Sequence, residues 1–213
     1  MTQAIALPEI PTNVKEDSIP WTSADLELLP ENGNRYEIIN GELCVTRAPH
    51  WKHQKTCGRL FTALDIWSIA TKLGETAMGA GVIFGDKDDV IPDVVWVSKE
   101  KYEALIDESG HLLGAPDLAI EILSSGKENE RRDREVKLKL YSSQGVLEYW
   151  IADWRTKQIQ VYRRENGILK LTMTLFVSDT NTTPFLPDFS CPLAHIFEKR
   201  KRDAKRRFFF IQK

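Results

Sequence analysis

IPDVVWV, residues 91–97, and PDLAIEILS, residues 116–124, are two apolar runs rich in Val, Ile, Leu and Trp, bounded by Pro, Gly and Ser. Such runs read as strands buried on both faces, the kind that form the inside of an α/β sheet. Each holds a carboxylate, Asp93 near the start of the first and Glu121 within the second. An ionised carboxylate in a buried strand costs on the order of several kcal/mol unless something positive meets it. Glu121 follows Asp93 by 28 positions. The two lie side by side if their strands are neighbours in one sheet, and one divalent metal would then satisfy both.

Upstream of this pair, Thr22 or Ser23 is placed to cap a short helix that Pro30 stops. RYEIINGELCVT reads as a hairpin, with Asn40-Gly41 supplying the positive φ angles of a two-residue turn. A helix is expected over about residues 51–72, with Leu60, Leu64, Trp67 and Ile69 as its apolar stripe. Gly79 and Gly81 open a strand, GVIFG, and the turn GDKDD leads from it to the strand bearing Asp93. Downstream come a short helix at KEKYEALID, a charged helix over 130–143, and strands at LEYWIAD, QIQVYRR and ILKLTMTLF. FLPDFSCPLAHIF closes the body as coil and a short helix. Pro-Asp occurs three times and is by itself a turn signal. Asp117 shares a strand face with Ala119, Glu121 and Leu123, which makes it a rival ligand, but it reads better as the residue that starts the strand.

ERRDREVKLKLY can be set on a helical wheel. With Val136 at 0°, Leu140 falls at about 40°, Asp133 at about 60°, Lys137 at about 100° and Tyr141 at about 140°. Lys139 falls at about 300°, away from that arc. Lys137 is therefore expected to face the core and Lys139 water. An Asp133–Lys137 ion pair at i, i+4 would join the two residues, at about 0.3–0.5 kcal/mol, without explaining why they share the apolar face.

The 213 residues suit one domain, with 42% apolar and 28% charged residues as in an ordinary globular protein. The organisation expected is a lead-in at 1–18, one domain over 19–198 and a basic tail at 199–213. The tail holds eight Lys/Arg and one acid, so the net charge of −2 hides a body at −9. No apolar stretch approaches the roughly 18–20 residues that span a bilayer, so no membrane partner is expected. Three scattered cysteines without CxxC spacing argue against a thiolate metal site or a disulfide framework, and for a reducing cytoplasm. His50 and His53 have an i, i+3 spacing that suits either a metal or a surface helix start.

Pro92-Asp93, Glu121-Ile122-Leu123-Ser124, Asp133-xxx-Lys137-xxx-Tyr141 and GVLEYWIAD, together with RYEIINGEL and His53-Gln54, resemble the Uma-type restriction endonuclease family. That family is part of the PD-(D/E)XK nuclease superfamily, and the resemblance runs over about residues 19–198. It implies an α/β, restriction-endonuclease-like mixed central sheet flanked by helices, with an N-terminal hairpin and extra C-terminal strands. It also implies an acid on one strand and an acid–x–Lys on the next. Here the lysine position holds Leu123, and the resemblance points to Lys137 on the following helix as the migrated amine. Glu42 and His53 match family positions near the site, and residues 124–129 depart from the usual Ser-Pro-Ser-Thr-like loop.

The expected activity is metal-dependent hydrolysis of phosphodiester bonds in nucleic acid, DNA for preference, by a homodimer. Asp93, Glu121 and the Ile122 carbonyl would hold Mg²⁺ or Mn²⁺. Lys137 would steady the water or the phosphate, with Glu42 and His53 assisting. The competing class is a nuclease-fold module that binds nucleic acid or protein without cutting, for which the acidic body speaks. A third class acts on a small phosphorylated substrate and would show a small enclosed cavity.

Overall fold

The computed structural model describes residues 19–198, and the expectations for 1–18 and 199–213 lie outside them. A short helix α1 (Ser23–Leu26) starts on Thr22, whose backbone N–H and hydroxyl both donate to Asp25. Strands β1 (Arg35–Ile39) and β2 (Glu42–Thr46) form the expected hairpin, with Asn40 and Gly41 at φ 53° and 76°. Gly41 is needed twice over, because a Cβ there would stand 2.7 Å from that of Pro20. Helix α2 (Trp51–Thr71) follows, then β3 (Gly74–Met78), β4 (Val82–Gly85), β5 (Asp88–Val90) and β6 (Val94–Ser98). Helix α3 (Lys99–Leu105) leads to β7 (Leu118–Ile122). The next helix is built of α4 (Lys127–Arg131), a π-helical turn at Arg132–Val136, and α5 (Lys137–Gln144). Strands β8 (Glu148–Asp153), β9 (Gln158–Glu165) and β10 (Ile168–Phe176), a small β11–β12 pair (Thr180–Asn181 and Cys191–Pro192) and α6 (Leu193–Phe197) complete the chain.

The central sheet runs β10-β9-β8-β7-β6-β3, antiparallel except for the parallel β7–β8 pair, and is the mixed sheet expected. GDKDD does not lead straight to Asp93. It closes a β4–β5 hairpin that joins β1 and β2 in a second, four-stranded sheet of order β2-β1-β5-β4. Only after Val90 does the chain cross, through Ile91 and Pro92, into the central sheet.

Two cores lie on the two faces of the central sheet. Val94, Trp96, Leu118, Ile120 and Trp150 meet Cys57, Leu60 and Leu64 of α2 and Leu193 and Ile196 of α6. Burying a leucine such as Leu60 or Leu64 stabilises by about 1.5–3 kcal/mol. Ile69 does not belong to that stripe and stands exposed, because a helical advance of five residues from Leu64 carries it well round the helix. On the other face, Val95, Val97, Ala119, Tyr149 and Ile151 meet Leu140 and Tyr141, with Ile39, Val82 and Val90 of the second sheet closing the layer. Among the described residues no helix is long and apolar enough to cross a membrane.

Candidate active site

The β6–β7 ladder pairs Val94 with Ile120, Val95 with Ala119 and Trp96 with Leu118. Continued one step, that register sets Asp93 opposite Glu121, and opposite residues of an antiparallel pair share a face. The Ile122 N–H closes the step by donating to Asp93 Oδ2 at 2.8 Å. The two strand carboxylates are thus brought together by register alone, where β6 begins and β7 ends.

Lys137 reaches them from the helix after β7. Its Nζ donates to Glu121 Oε1 at 2.8 Å and to Glu37 Oε1 at 2.7 Å, and the side chain is fully buried. Lys139 is exposed, as the wheel requires. What the wheel did not contain is the π turn, in which the Lys137 N–H bonds the Arg132 carbonyl five residues back. That extra residue accompanies a different pairing: Lys137 bonds Glu37 and Glu121, while Asp133 is met by Arg132 at 3.4 Å. Gly126, at φ 113°, turns the chain out of the loop into α4, a conformation that L side chains rarely adopt.

Further groups complete the cluster. Tyr141 does more than pack beneath the lysine: its hydroxyl donates to Glu121 Oε1 at 2.9 Å. Arg35 Nη1 lies 3.2 Å from Asp93 Oδ1, and the His53 Nε2 3.2 Å from Asp93 Oδ2. Glu37 also accepts the Ile91 N–H at 2.8 Å. Arg35 and Glu37 were not among the expected site residues. The alternation of RYEII puts both on the face of the buried Ile39, a signal present in the sequence.

Glu42 needs correction. It opens β2, is exposed, and does not line the cleft: paired with Ile39 it shares the sheet face of Glu37 but stands at the turn end of the hairpin. Asp117 is also elsewhere: it accepts the Ser98 N–H at 2.7 Å and pairs with Lys101 at 2.7 Å, starting the strand as its position suggested. His50 and His53 do not act together, for His50 caps α2 by accepting the Lys52 N–H.

The cluster forms the floor of a cleft of 1140 Å³ between the two sheets and the split helix. Four buried carboxylates (Glu37, Asp93, Glu121 and Asp133) meet three cations there, Arg35, Arg132 and Lys137. Burial pushes the Asp93 carboxyl up, but His53, the Ile122 N–H and Arg35 outweigh it and leave the group below its ordinary range. Burial pushes Glu121 up to about 8 against the pull of Lys137, with Asp93, Asp133 and Glu37 adding to the rise. Asp133 goes up to about 6, again through burial first. Burial would lower Lys137, yet Glu121, Glu37 and Asp133 hold its amine protonated, above the usual lysine range.

A cation fits this donor set. The carboxylate oxygens are hard ligands that suit Mg²⁺ or Mn²⁺. Lys137 and Tyr141 occupy Glu121 Oε1, while Oε2 has no hydrogen bond among the described residues. The His53 Nδ1 is buried without a partner. Among the described residues no three His, Cys, Asp or Glu side chains form a metal cage by themselves, so main-chain oxygen and water would complete the shell.

Residues 23–194 match the family model Uma2, described as "Putative restriction endonuclease". No curated protein matches the chain. Among solved structures, a "putative nuclease belonging to DUF820" from Anabaena variabilis is similar over 84% of this chain and 98% of its own, with a TM-score of 0.68 and 19% identity. That likeness is one of fold. With the family model running from α1 to the first turn of α6, and so over both sheets and the acidic cleft between them, this chain belongs to the Uma2 family.

Proposed function

We propose that the protein is an endonuclease that hydrolyses phosphodiester bonds of nucleic acid, DNA for preference, with Mg²⁺ or Mn²⁺ held by Asp93, Glu121 and the Ile122 carbonyl. The observation that carries this reading is the meeting of two strand carboxylates and one buried lysine at the floor of a cleft. At 1140 Å³ the cleft is larger than most small-molecule pockets, about 300–1,000 Å³, which favours a polymer over a small phosphorylated substrate. The family description points the same way.

Each residue has a task that its surroundings support. Asp93 is kept ionised by His53, Arg35 and the Ile122 N–H, ready to bind a cation. Lys137 and Tyr141 fix one oxygen of Glu121 and leave the other for the ion. A divalent ion bound there supplies Lewis-acid polarisation and lowers the pKa of a bound water. Lys137, held protonated, acts as a fixed positive charge toward the phosphate and not as a base. His53 orients Asp93 through its Nε2, while its Nδ1 stays buried and unpartnered. A homodimer in a reducing cytoplasm completes the reading, since cutting both strands of a duplex takes two such sites.

The test is incubation of the full chain with single- and double-stranded DNA and RNA in Mg²⁺, Mn²⁺ or EDTA. Cleavage that needs the metal and disappears in Asp93→Asn and Glu121→Gln supports the proposal. Cleavage that survives both substitutions, or none with any substrate or metal, overturns it and leaves the non-cutting binding module.

A further inference from the structure

The first turns of α2 present two unlike surfaces. With His53 at 0°, Trp51 falls at about 160°, Lys55 at about 200° and Arg59 at about 240° around the helix. His53 faces Asp93 and the acidic cleft. Away from it lies a separate groove of 530 Å³, lined by Trp51, Lys52, Lys55, Arg59, Trp154 and Lys157.

This groove joins cations to exposed aromatic surface. Trp51 is 81% exposed at the start of the helix, an unusual place for an indole with no ligand. Trp154 is stacked against His50, with centroids 4.8 Å apart and planes 3° from parallel, and Lys52 Nζ lies 5.3 Å from the centre of its ring. The Trp154 indole N–H is buried without a hydrogen-bond partner. Arg59 is braced by the Ile196 carbonyl. Four cations line the groove against one acid, Glu198, and the chain runs on from there into 199–213, with eight Lys/Arg and one acid. Another basic segment is a poor occupant of such a place. A polyanion that bridges groove and tail is a good one.

We infer that this groove binds a single-stranded nucleic-acid segment, with its phosphates on Lys52, Lys55, Arg59 and Lys157 and a base stacked on Trp51. The inference rests on the proposed nuclease reading and deepens it: the substrate carries an unpaired strand beside the phosphate in the cleft. The acidic cleft floor offers phosphates little net attraction, so affinity has to come from elsewhere on the surface. An exposed indole prefers an unpaired base, because paired bases present no free face.

The test is fluorescence anisotropy with labelled oligo-dT and oligo-rU of about 12 nucleotides, a length in the range that single-strand-binding folds cover. A duplex of matched length is the third arm, and the full chain is used throughout in EDTA. Trp51→Ala should weaken binding of the single strands roughly 5- to 150-fold. Lys55→Ala with Lys157→Ala should lower the salt dependence of log Kd by about 1.4. The duplex should bind more weakly and ignore Trp51. Unchanged affinity and salt slope in these variants overturn the inference, as does a duplex that depends on Trp51 equally. If only neutralising the cations of 199–213 abolishes binding, the contact belongs to that stretch and the groove is not the site. Loss of self-association in Trp51→Ala with oligonucleotide affinity intact would make the face an interface between copies, again against the inference. Strand binding that depends on Trp51, in a protein that cuts nothing, would sink the nuclease reading and leave the groove standing.

Discussion

Replacing Lys137 with Met removes a charge while keeping most of the side-chain volume. In the intact protein the amine bridges Glu37 at 2.7 Å and Glu121 at 2.8 Å, with all three side chains buried. Breaking a buried pair from one side costs about 3–5 kcal/mol, because the remaining carboxylate keeps its desolvation penalty and loses its partner. At about 2 kcal/mol per molar urea, that lowers the unfolding midpoint by roughly 1.5–2.5 M. The loss should shrink as pH falls below about 8, where Glu121 takes up a proton. Adding Glu121→Gln or Glu37→Gln to Lys137→Met should return about 0.5–3 kcal/mol, the coupling expected of residues in contact. Lys139→Ala, on the exposed side of the same helix, should stay within about 0.5 kcal/mol of wild type. Urea unfolding of the wild type and the four variants in EDTA provides the comparison. A Lys137→Met protein within about 1 kcal/mol of wild type, or no recovery in the double variants, would refute the reasoning, since a true buried triad cannot lose its cation that cheaply. The lysine therefore holds the fold, and its loss will not leave stability untouched.

Stability in EDTA should depend on pH in a definite direction. Glu121 is raised from 4.5 to about 8, so between these values the folded chain holds a proton that the unfolded chain has released. Stability then falls as pH rises through that window, by up to about 1.4 kcal/mol per pH unit. Asp133, raised to about 6, adds to the fall at the lower end, whereas the lowered Asp93 matters only at more acidic pH. Saturating Mg²⁺ should flatten the slope, because a ligand carboxylate must be deprotonated; urea midpoints level from pH 6.5 to 8 in EDTA would contradict this. Among the second-sheet acids, Glu37→Gln should reduce cleavage by at least tenfold through the loss of its hold on Lys137, while Glu42→Gln should cut at the wild-type rate. Matched initial rates would expose an error in either placement.

Much of this arrangement is legible in the residues because it rests on short periodicities. IPDVVWV and PDLAIEILS are strands for the reason their composition suggests, and their pairing sets Asp93 against Glu121. The wheel separates Lys137 from Lys139 despite the π turn, since both lie beyond it in α5 and the turn shifts them together. Other features depend on contacts distant in sequence. Nothing local in GVIFGDKDDV says that this hairpin leaves the central sheet to pair with β1. The Glu37 and Glu42 choice turns on which side of Asn40-Gly41 faces the cleft, which is decided by how the second sheet docks. Alternation and hairpin register put Glu37 and Glu42 on one face, so local pattern alone does not separate them.

The most direct measurement is a Mn²⁺ titration of the full chain, followed by the loss of free-ion EPR signal near pH 8. One tight ion per chain should appear in the wild type, weaken by at least tenfold in Glu121→Gln and in Asp93→Asn, and weaken as pH falls toward 6. Equal stoichiometry and affinity in wild type and both variants would place the metal elsewhere and remove the ground for an acidic catalytic centre.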